Sequence, residues 1–142
     1  MWAGDQASRR LGMQLVDIGP GRSRLSMRIR DDMVNGYGDC HGGFLAALAD
    51  SAFAFACNTY DQVTVAAGFD ITFLAPGKLG DELAAVATER ARYGRSGLYD
   101  VTVSRSDGTV IAEFRGRSRS LGRRQLPVGL EPRHAEHHEF PE

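Results

Sequence analysis

The sequence predicts an α+β domain in which a single antiparallel sheet curls around one long helix. Three observations carry that expectation. A glycine-rich loop opens a helical run, about residues 42–59, that is apolar on nearly every face, and such a helix is normally buried in a core. Two strand-like stretches precede it, and every patterned stretch after it reads as strand. Strands gathered on either side of one isolated helix follow the order of an α+β layer rather than of a regularly alternating parallel sheet.

Taken in order, residues 1–11 form a short helix or a frayed lead-in. Residues 13–18 and 25–29 cluster or alternate apolar side chains about the turn Gly19-Pro20-Gly21-Arg22, and read as a β-hairpin running into Asp31-Asp32. The helix follows and stops at Asn58-Thr59-Tyr60-Asp61-Gln62. Residues 63–74 are rich in β-branched and aromatic side chains and end at Ala75-Pro76-Gly77. Residues 83–93 alternate imperfectly, after which Gly94-Arg95-Ser96-Gly97 turns the chain into 98–103. Asp107-Gly108 is the strongest hairpin signal and leads to a last strand, 110–118. On it Phe114, Gly116 and Ser118 share one face, while Glu113, Arg115, Arg117 and Arg119 line a wet one. From Gly122 the apolar density collapses, which confines a single domain to residues 1–121 and leaves 122–142 as a tail expected to be poorly ordered.

With 142 residues the chain is one domain's worth, enough for a substantial core and too short for two. Charges nearly cancel, at a formal net −1, so neither nucleic acid nor an anionic membrane is indicated as partner. No basic-then-apolar leader opens the sequence and no apolar run is long enough to span a bilayer, so the expectation is a soluble, cytoplasmic protein. Cys40 and Cys57 flank the helix, where roughly 25 Å would separate them against a disulfide reach of about 7 Å, so both are expected to be reduced.

The chemically telling residue is Asp50, a carboxylate in the middle of the apolar helix. An ionised carboxylate taken from water is costly unless it is paired, hydrogen-bonded or used. Asp50 is therefore either a structural group, capping a loop or meeting an arginine, or a working base or nucleophile. Gly42 and Gly43 clear side chains from the helix start, where N–H groups lack intrahelical partners and the dipole is positive. That suits a carbonyl oxygen turning negative, although the same glycines also serve a tight turn or close packing. Asp50 lies on Gly43's side of the helix but about 10 Å further along its axis. A base and an oxyanion donor must each come within about 3 Å of one reacting group, so these two cannot share a carbonyl within one chain. If catalysis uses both, the functional unit is a dimer in which Gly43 of one subunit meets Asp50 of another.

Around them, His41 either donates to a substrate carbonyl or steadies the loop. Asn35, followed by glycine, is a turn former whose amide also suits orienting a water or a carbonyl. Ser51 either assists Asp50 through a water or bonds back into its own helix, and no histidine base is visible that would make it a nucleophile. Arginines gather as Arg90, Arg92 and Arg95 near one hairpin and as Arg115, Arg117 and Arg119 on the last strand. Guanidinium forks suit phosphates, but such runs also arise as solvated or edge-protecting strand faces. His134, His137 and His138 lie in the tail without a ligand frame, so no metal is assigned.

Over residues 11–121 the chain resembles the PaaI-like hotdog thioesterases. The likeness centres on Asn35-Gly36, His41-Gly42-Gly43, Leu48-Ala49-Asp50-Ser51-Ala52-Phe53-Ala54 and Ala56-Cys57-Asn58. It continues in Asp70-Ile71-Thr72-Phe73-Leu74-Ala75-Pro76-Gly77, Gly80-Asp81, Gly97-Leu98-Tyr99-Asp100-Val101 and Phe114-Arg115-Gly116. The resemblance implies the hotdog fold, hydrolysis of an acyl-coenzyme A thioester without a cofactor, and a site that spans a dimer interface. Aromatic acyl groups such as phenylacetyl or hydroxyphenylacetyl are favoured. Carried onto this chain, it makes Asp50 the nucleophile or general base and the Gly42 or Gly43 amide the oxyanion donor, with Asn35, His41 and Ser51 in support. It also implies a homotetramer of two dimers and coenzyme A phosphates lying against basic surface residues. The candidates there are Arg90, Arg95 and Arg117, with Ser96 and Gly97. Serine stands at position 51 where the family more often has threonine, and the hydroxyl is kept.

Two other readings share this fold, because fold does not fix function. One is a hydratase or dehydratase acting on acyl thioesters, with His41 central to proton transfer; the helix lacks the His-plus-Pro-rich context associated with those enzymes. The other is a non-catalytic acyl-coenzyme A-binding sensor, for whose usual helix-turn-helix the residues before Met13 leave no room.

Overall fold

In the computed structural model, which describes residues 1–125, the chain opens with a tight turn (Trp2–Gly4) and helix α1 (Gln6–Arg10). Strands β1 (Gln14–Gly19) and β2 (Arg22–Arg28) follow, then helix α2 (Gly42–Cys57) and strands β3 (Thr64–Phe73), β4 (Glu82–Tyr93), β5 (Ser96–Arg105) and β6 (Val110–Ser120). All six strands join one antiparallel sheet in the order β1-β2-β4-β5-β6-β3, and α2 packs across one face of it in the hotdog manner. The strand after the helix thus lands at the edge opposite the opening hairpin. Among the described residues no helix is long and apolar enough to cross a membrane. His134, His137 and His138 lie outside the described residues.

Strand alternation explains the core. Leu25 and Met27, Leu83, Ala85 and Ala87, Tyr99, Val101 and Val103, and Ala112 and Phe114 are buried against the helix, while their neighbours on β6, Glu113, Arg115, Arg117 and Arg119, face water as the alternation predicts. Phe53 of α2 is the centre of this packing, with the rings of Tyr99 and Phe114 tilted against it at 5.6 and 5.7 Å. Opposite it lies Gly116, where a Cβ would come 2.8 Å from the Phe53 ring. Glycine is what lets the helix approach the sheet there. Gly116→Ala is expected to destabilise the fold by about 1–3 kcal/mol, the usual cost of overpacking, as read by urea unfolding. Adding Phe53→Leu should recover part of the loss.

The element boundaries depart from the sequence reading for local reasons. β2 begins at Arg22, earlier than expected, because Ser23 faces inward with its hydroxyl donating to the Ala52 carbonyl at 2.6 Å, and pairing with β4 runs unbroken from Arg22. A polar residue that looks like turn is a satisfied core position. The lead-in is a true helix, capped by Asp5, whose carboxylate accepts from the Ser8 N–H. Residues 122–125 remain against the domain: the Val63 N–H donates to the Arg123 carbonyl at 2.8 Å, and Gln125 donates to Asn58 Oδ1 at 2.9 Å.

One expectation is corrected. Helix α2 is not buried all round: Ala46, Ala47, Asp50, Ser51 and Ala54 are only half-buried and Gly43 is exposed. One sheet face can cover only one side of a helical cylinder, and six strands do not close around it. The open flank carries small side chains. Near it, β3 and the residue after it expose apolar side chains, with Phe69, Phe73 and Leu74 showing 40, 50 and 59% of their surface.

Candidate active site

The loop before α2 is pinned from several sides. Asn35 Oδ1 accepts the N–H groups of Tyr37 at 2.9 Å and Asp39 at 3.1 Å, and the Asn35 N–H donates to the Asp39 carbonyl at 2.8 Å. The Cys40 N–H donates to Gly77 and the His41 N–H to Met33, both at 2.8 Å, while Asp39 forms an ion pair with Lys78. His41 then caps α2 by its backbone alone: its extended ψ of 137° starts the helix, its carbonyl accepts from Phe44, and its exposed side chain makes no capping bond.

The result is a helix start with free donors. Among the described residues nothing accepts from the Gly42 or Gly43 N–H. A Cβ at Gly42 would meet the Phe73 ring at 2.8 Å, whereas nothing lies within 4 Å of one at Gly43. Beside them a cleft of about 410 Å³ is walled by Cys40, Gly42, Leu45, Phe73, Leu74 and Pro76, with Asp39 its charged lining residue. An apolar cleft ending at unpartnered backbone donors suits an acyl group whose carbonyl oxygen points at the helix.

Asp50 is half-buried, and among the described residues its carboxylate has no hydrogen-bond or ion-pair partner. Among the described residues, neither structural role open to it in the sequence, loop cap or arginine partner, is filled. Burial, and then the negative charge of Asp5, raise its proton affinity above the ordinary carboxylate range. Such a group is closer to a useful base near neutrality than a surface aspartate. Ser51 does not bond back into its helix; its Oγ lies 2.7 Å from Ser8 Oγ on α1.

Two candidate sets are separated. The turn at Arg95, Ser96 and Gly97 lines a small hollow with Tyr60, Cys57 and Ser118 near the C-terminal end of α2, the end opposite Gly42. Arg90 and Arg117 instead point from the helix-distal sheet face, held by Asp100 at 3.5 Å and Asp70 at 3.0 Å, and Arg115 forks onto Asp100. The structure therefore does not gather Arg90, Arg95 and Arg117 at one place, because strand alternation puts Arg90 and Arg117 on the helix-distal face while Arg95 sits in the turn between β4 and β5. Cys40 and Cys57 are free and buried, and burial pushes their thiols up to about 11 and about 12, which leaves little thiolate at neutral pH. Among the described residues no group of His, Cys, Asp and Glu side chains is set to hold a metal ion.

The sequence reading missed three parts of this site. Phe73 walls the cleft, Lys78 straps the loop, and α1 reaches Ser51. The spacing of Asp5 and Ser8 is a recognisable capping signal, but nothing local says where that helix docks.

A sheet packed on one helix, with an apolar cleft at the helix start and a mid-helix carboxylate that has no partner among the described residues, has parts that suit acyl-group chemistry. Residues 37–112 match the thioesterase superfamily, and the chain belongs to that family. Its particular likeness is to PaaI: it is 37% identical over 122 residues to the acyl-coenzyme A thioesterase PaaI of Escherichia coli (strain K12), covering 86% of this chain and 87% of that protein. The solved E. coli PaaI protein, from the phenylacetic acid degradation operon, superposes with a TM-score of 0.86 at 36% identity, over 87% of this chain and 90% of that one. The human acyl-coenzyme A thioesterase 13 is 32% identical over 106 residues, 71% of this chain and 74% of that protein.

Proposed function

We propose that the protein hydrolyses acyl-coenzyme A thioesters, with aromatic acyl groups of the phenylacetyl or hydroxyphenylacetyl type as its substrates and no cofactor. The observation that carries the mechanism is Asp50, a half-buried carboxylate with raised proton affinity and no partner among the described residues. Asp50 acts as general base or as the attacking nucleophile. As base it takes a proton from water while the water oxygen bonds to the thioester carbon. The tetrahedral oxyanion rests on the Gly43 or Gly42 N–H, the C–S bond breaks, and the thiolate leaves with the proton Asp50 had taken. Asn35, whose Oδ1 is spent on the loop, has its Nδ2 to orient a substrate oxygen, and His41 supports the same loop.

The site is shared between two chains. The helix spacing of about 10 Å between Gly43 and Asp50 supports it where both groups serve one reaction, and the exposed apolar edge of β3 and open flank of α2 are surfaces a second copy would cover. Two such dimers make the homotetramer the family resemblance implies, and the cytoplasm is its compartment. For the coenzyme A phosphates the turn at Arg95, Ser96 and Gly97 is the better anchor, since Arg90 and Arg117 already answer to carboxylates. The test is a panel of acyl-coenzyme A substrates followed by free-thiol release, wild type beside Asp50→Ala. Phenylacetyl-type thioesters should be fastest, and Asp50→Ala should lose turnover by at least about a hundredfold. Unchanged turnover in the variant would sink the mechanism; tight binding without thiol release would make the protein a sensor.

A further inference from the structure

We propose that Asp5 and Ser8, at the N-terminal helix, are positioning residues of the thioesterase site that fix which way the Ser51 hydroxyl directs its proton. The inference rests on the reading of Asp50 as the catalytic carboxylate and extends it to a part of the chain that reading does not use.

Three contacts carry it. Asp5 Oδ1 accepts from the Ser8 N–H at 3.0 Å, and Asp5 Oδ2 accepts from the Ser8 hydroxyl at 2.7 Å. Ser8 Oγ in turn lies 2.7 Å from Ser51 Oγ, the residue next to Asp50 on α2. Ser8 is only 3% exposed and sits between the half-buried side chains of Asp5 and Ser51, so its own hydroxyl is shielded from water. The lead-in is held onto α2 by Trp2, whose ring centroid lies 5.5 Å from that of Phe55.

Proton counting then fixes the direction. A carboxylate offers only lone pairs, and a hydroxyl has one proton to give. The Ser8 proton is committed to Asp5, so the proton between the two serines belongs to Ser51. Ser51 Oγ is left with lone pairs alone for anything on the Asp50 side. It accepts from the attacking water and has nothing to donate to the acyl carbonyl. A water that gives one hydrogen to Asp50 and the other to Ser51 keeps an oxygen lone pair free to attack.

Asp5 has a second effect, since after burial its charge is the other cause of the raised proton affinity of Asp50. Cys57 on the same helix feels the Asp50 charge, while Arg9 and Arg10 of α1 and the Glu89, Arg92 and Tyr99 group of the sheet are not among the causes acting on Asp50.

The test uses steady-state kinetics and pH profiles on the fastest acyl-coenzyme A of the panel. Asp5→Asn still caps α1, because asparagine caps as well as aspartate, but it offers Ser8 an amide donor and frees its proton to turn. Asp5→Asn and Ser8→Ala should each lower kcat about fivefold with KM little changed, the loss of one net hydrogen bond in the transition state. Neither should add to the loss in Ser51→Ala, and the acid limb of kcat in Asp5→Asn should move to lower pH because a negative neighbour of the base is gone. A purely structural α1 would lower the melting temperature without moving that limb or coupling to Ser51. Wild-type kcat and acid limb in both variants, or losses that add to that of Ser51→Ala, would overturn the proposal while Asp50→Asn stays inactive. Full activity in Asp50→Asn would instead overturn the base assignment, and this inference with it.

Discussion

Asp50→Asn is expected to lose at least about a hundredfold in kcat while folding as well as wild type or better. Asparagine fills the same volume and cannot take the proton. The accompanying stability change has a definite sign. Burial raises the folded-state proton affinity of Asp50, so ionising it opposes folding. The group's favourable contribution is full below the ordinary carboxylate value and is lost as pH rises through its raised value. At neutral pH wild type therefore bears a cost that asparagine lacks, and the variant should melt higher there. The advantage should shrink as pH falls toward about 4, where an unfolded-state aspartate also takes up its proton. The same raised affinity predicts an acid limb in the wild-type kcat profile above the range of a surface aspartate. Thermal melts across pH beside the kinetic profiles check both halves. A residue whose removal stabilises the fold and abolishes turnover is there for chemistry.

Gly43→Pro should cost about 10²–10³ in kcat, the usual effect of deleting one oxyanion donor. Proline has no N–H, and the first turn of a helix tolerates it because those amides have no intrahelical acceptor. Nothing lies within 4 Å of a Cβ at this position, so a side chain there projects into open space. Gly43→Ala, which keeps the N–H, is the control and should retain most of the rate. Position 42 does not offer so clean a comparison, because any side chain there meets Phe73 at 2.8 Å and reshapes the cleft. Equal loss in Gly43→Ala and Gly43→Pro would mean that space rather than the donor matters at this glycine.

What was legible in the sequence was what local periodicity encodes. The wet face of β6, the hairpin at Asp107-Gly108 and the start of α2 at Gly42 all follow from residues within a few positions of one another. The pairing of β3 with β6 does not, since it joins residues such as Thr64 and Ser120 that no short window connects. Asp50 stood out because a charge on an apolar helix conflicts with its surroundings. Ser8 did not, because a serine near the N-terminus conflicts with nothing until α1 is folded against Ser51. The arginines are a related case: Arg90, Arg95 and Arg117 look alike in sequence, and only the turn that carries Arg95 and the partners Asp100 and Asp70 of the other two tell them apart.

The half-buried flank of α2 gives the dimer argument its force. Gly43 and Asp50 both lie on or beside it, about 10 Å apart along the axis, which is too far for one carbonyl and suited to two carbonyls facing a second helix. Two individually dead variants decide the matter directly. Asp50→Asn and Gly43→Pro chains, differently tagged and co-expressed, should form a mixed dimer with one intact site, built from Gly43 of the first and Asp50 of the second. Random pairing should then return about a quarter of wild-type turnover, and the purified mixed dimer about half. Mixed dimers as inactive as either parent would place both residues' work within one chain and contradict the shared site.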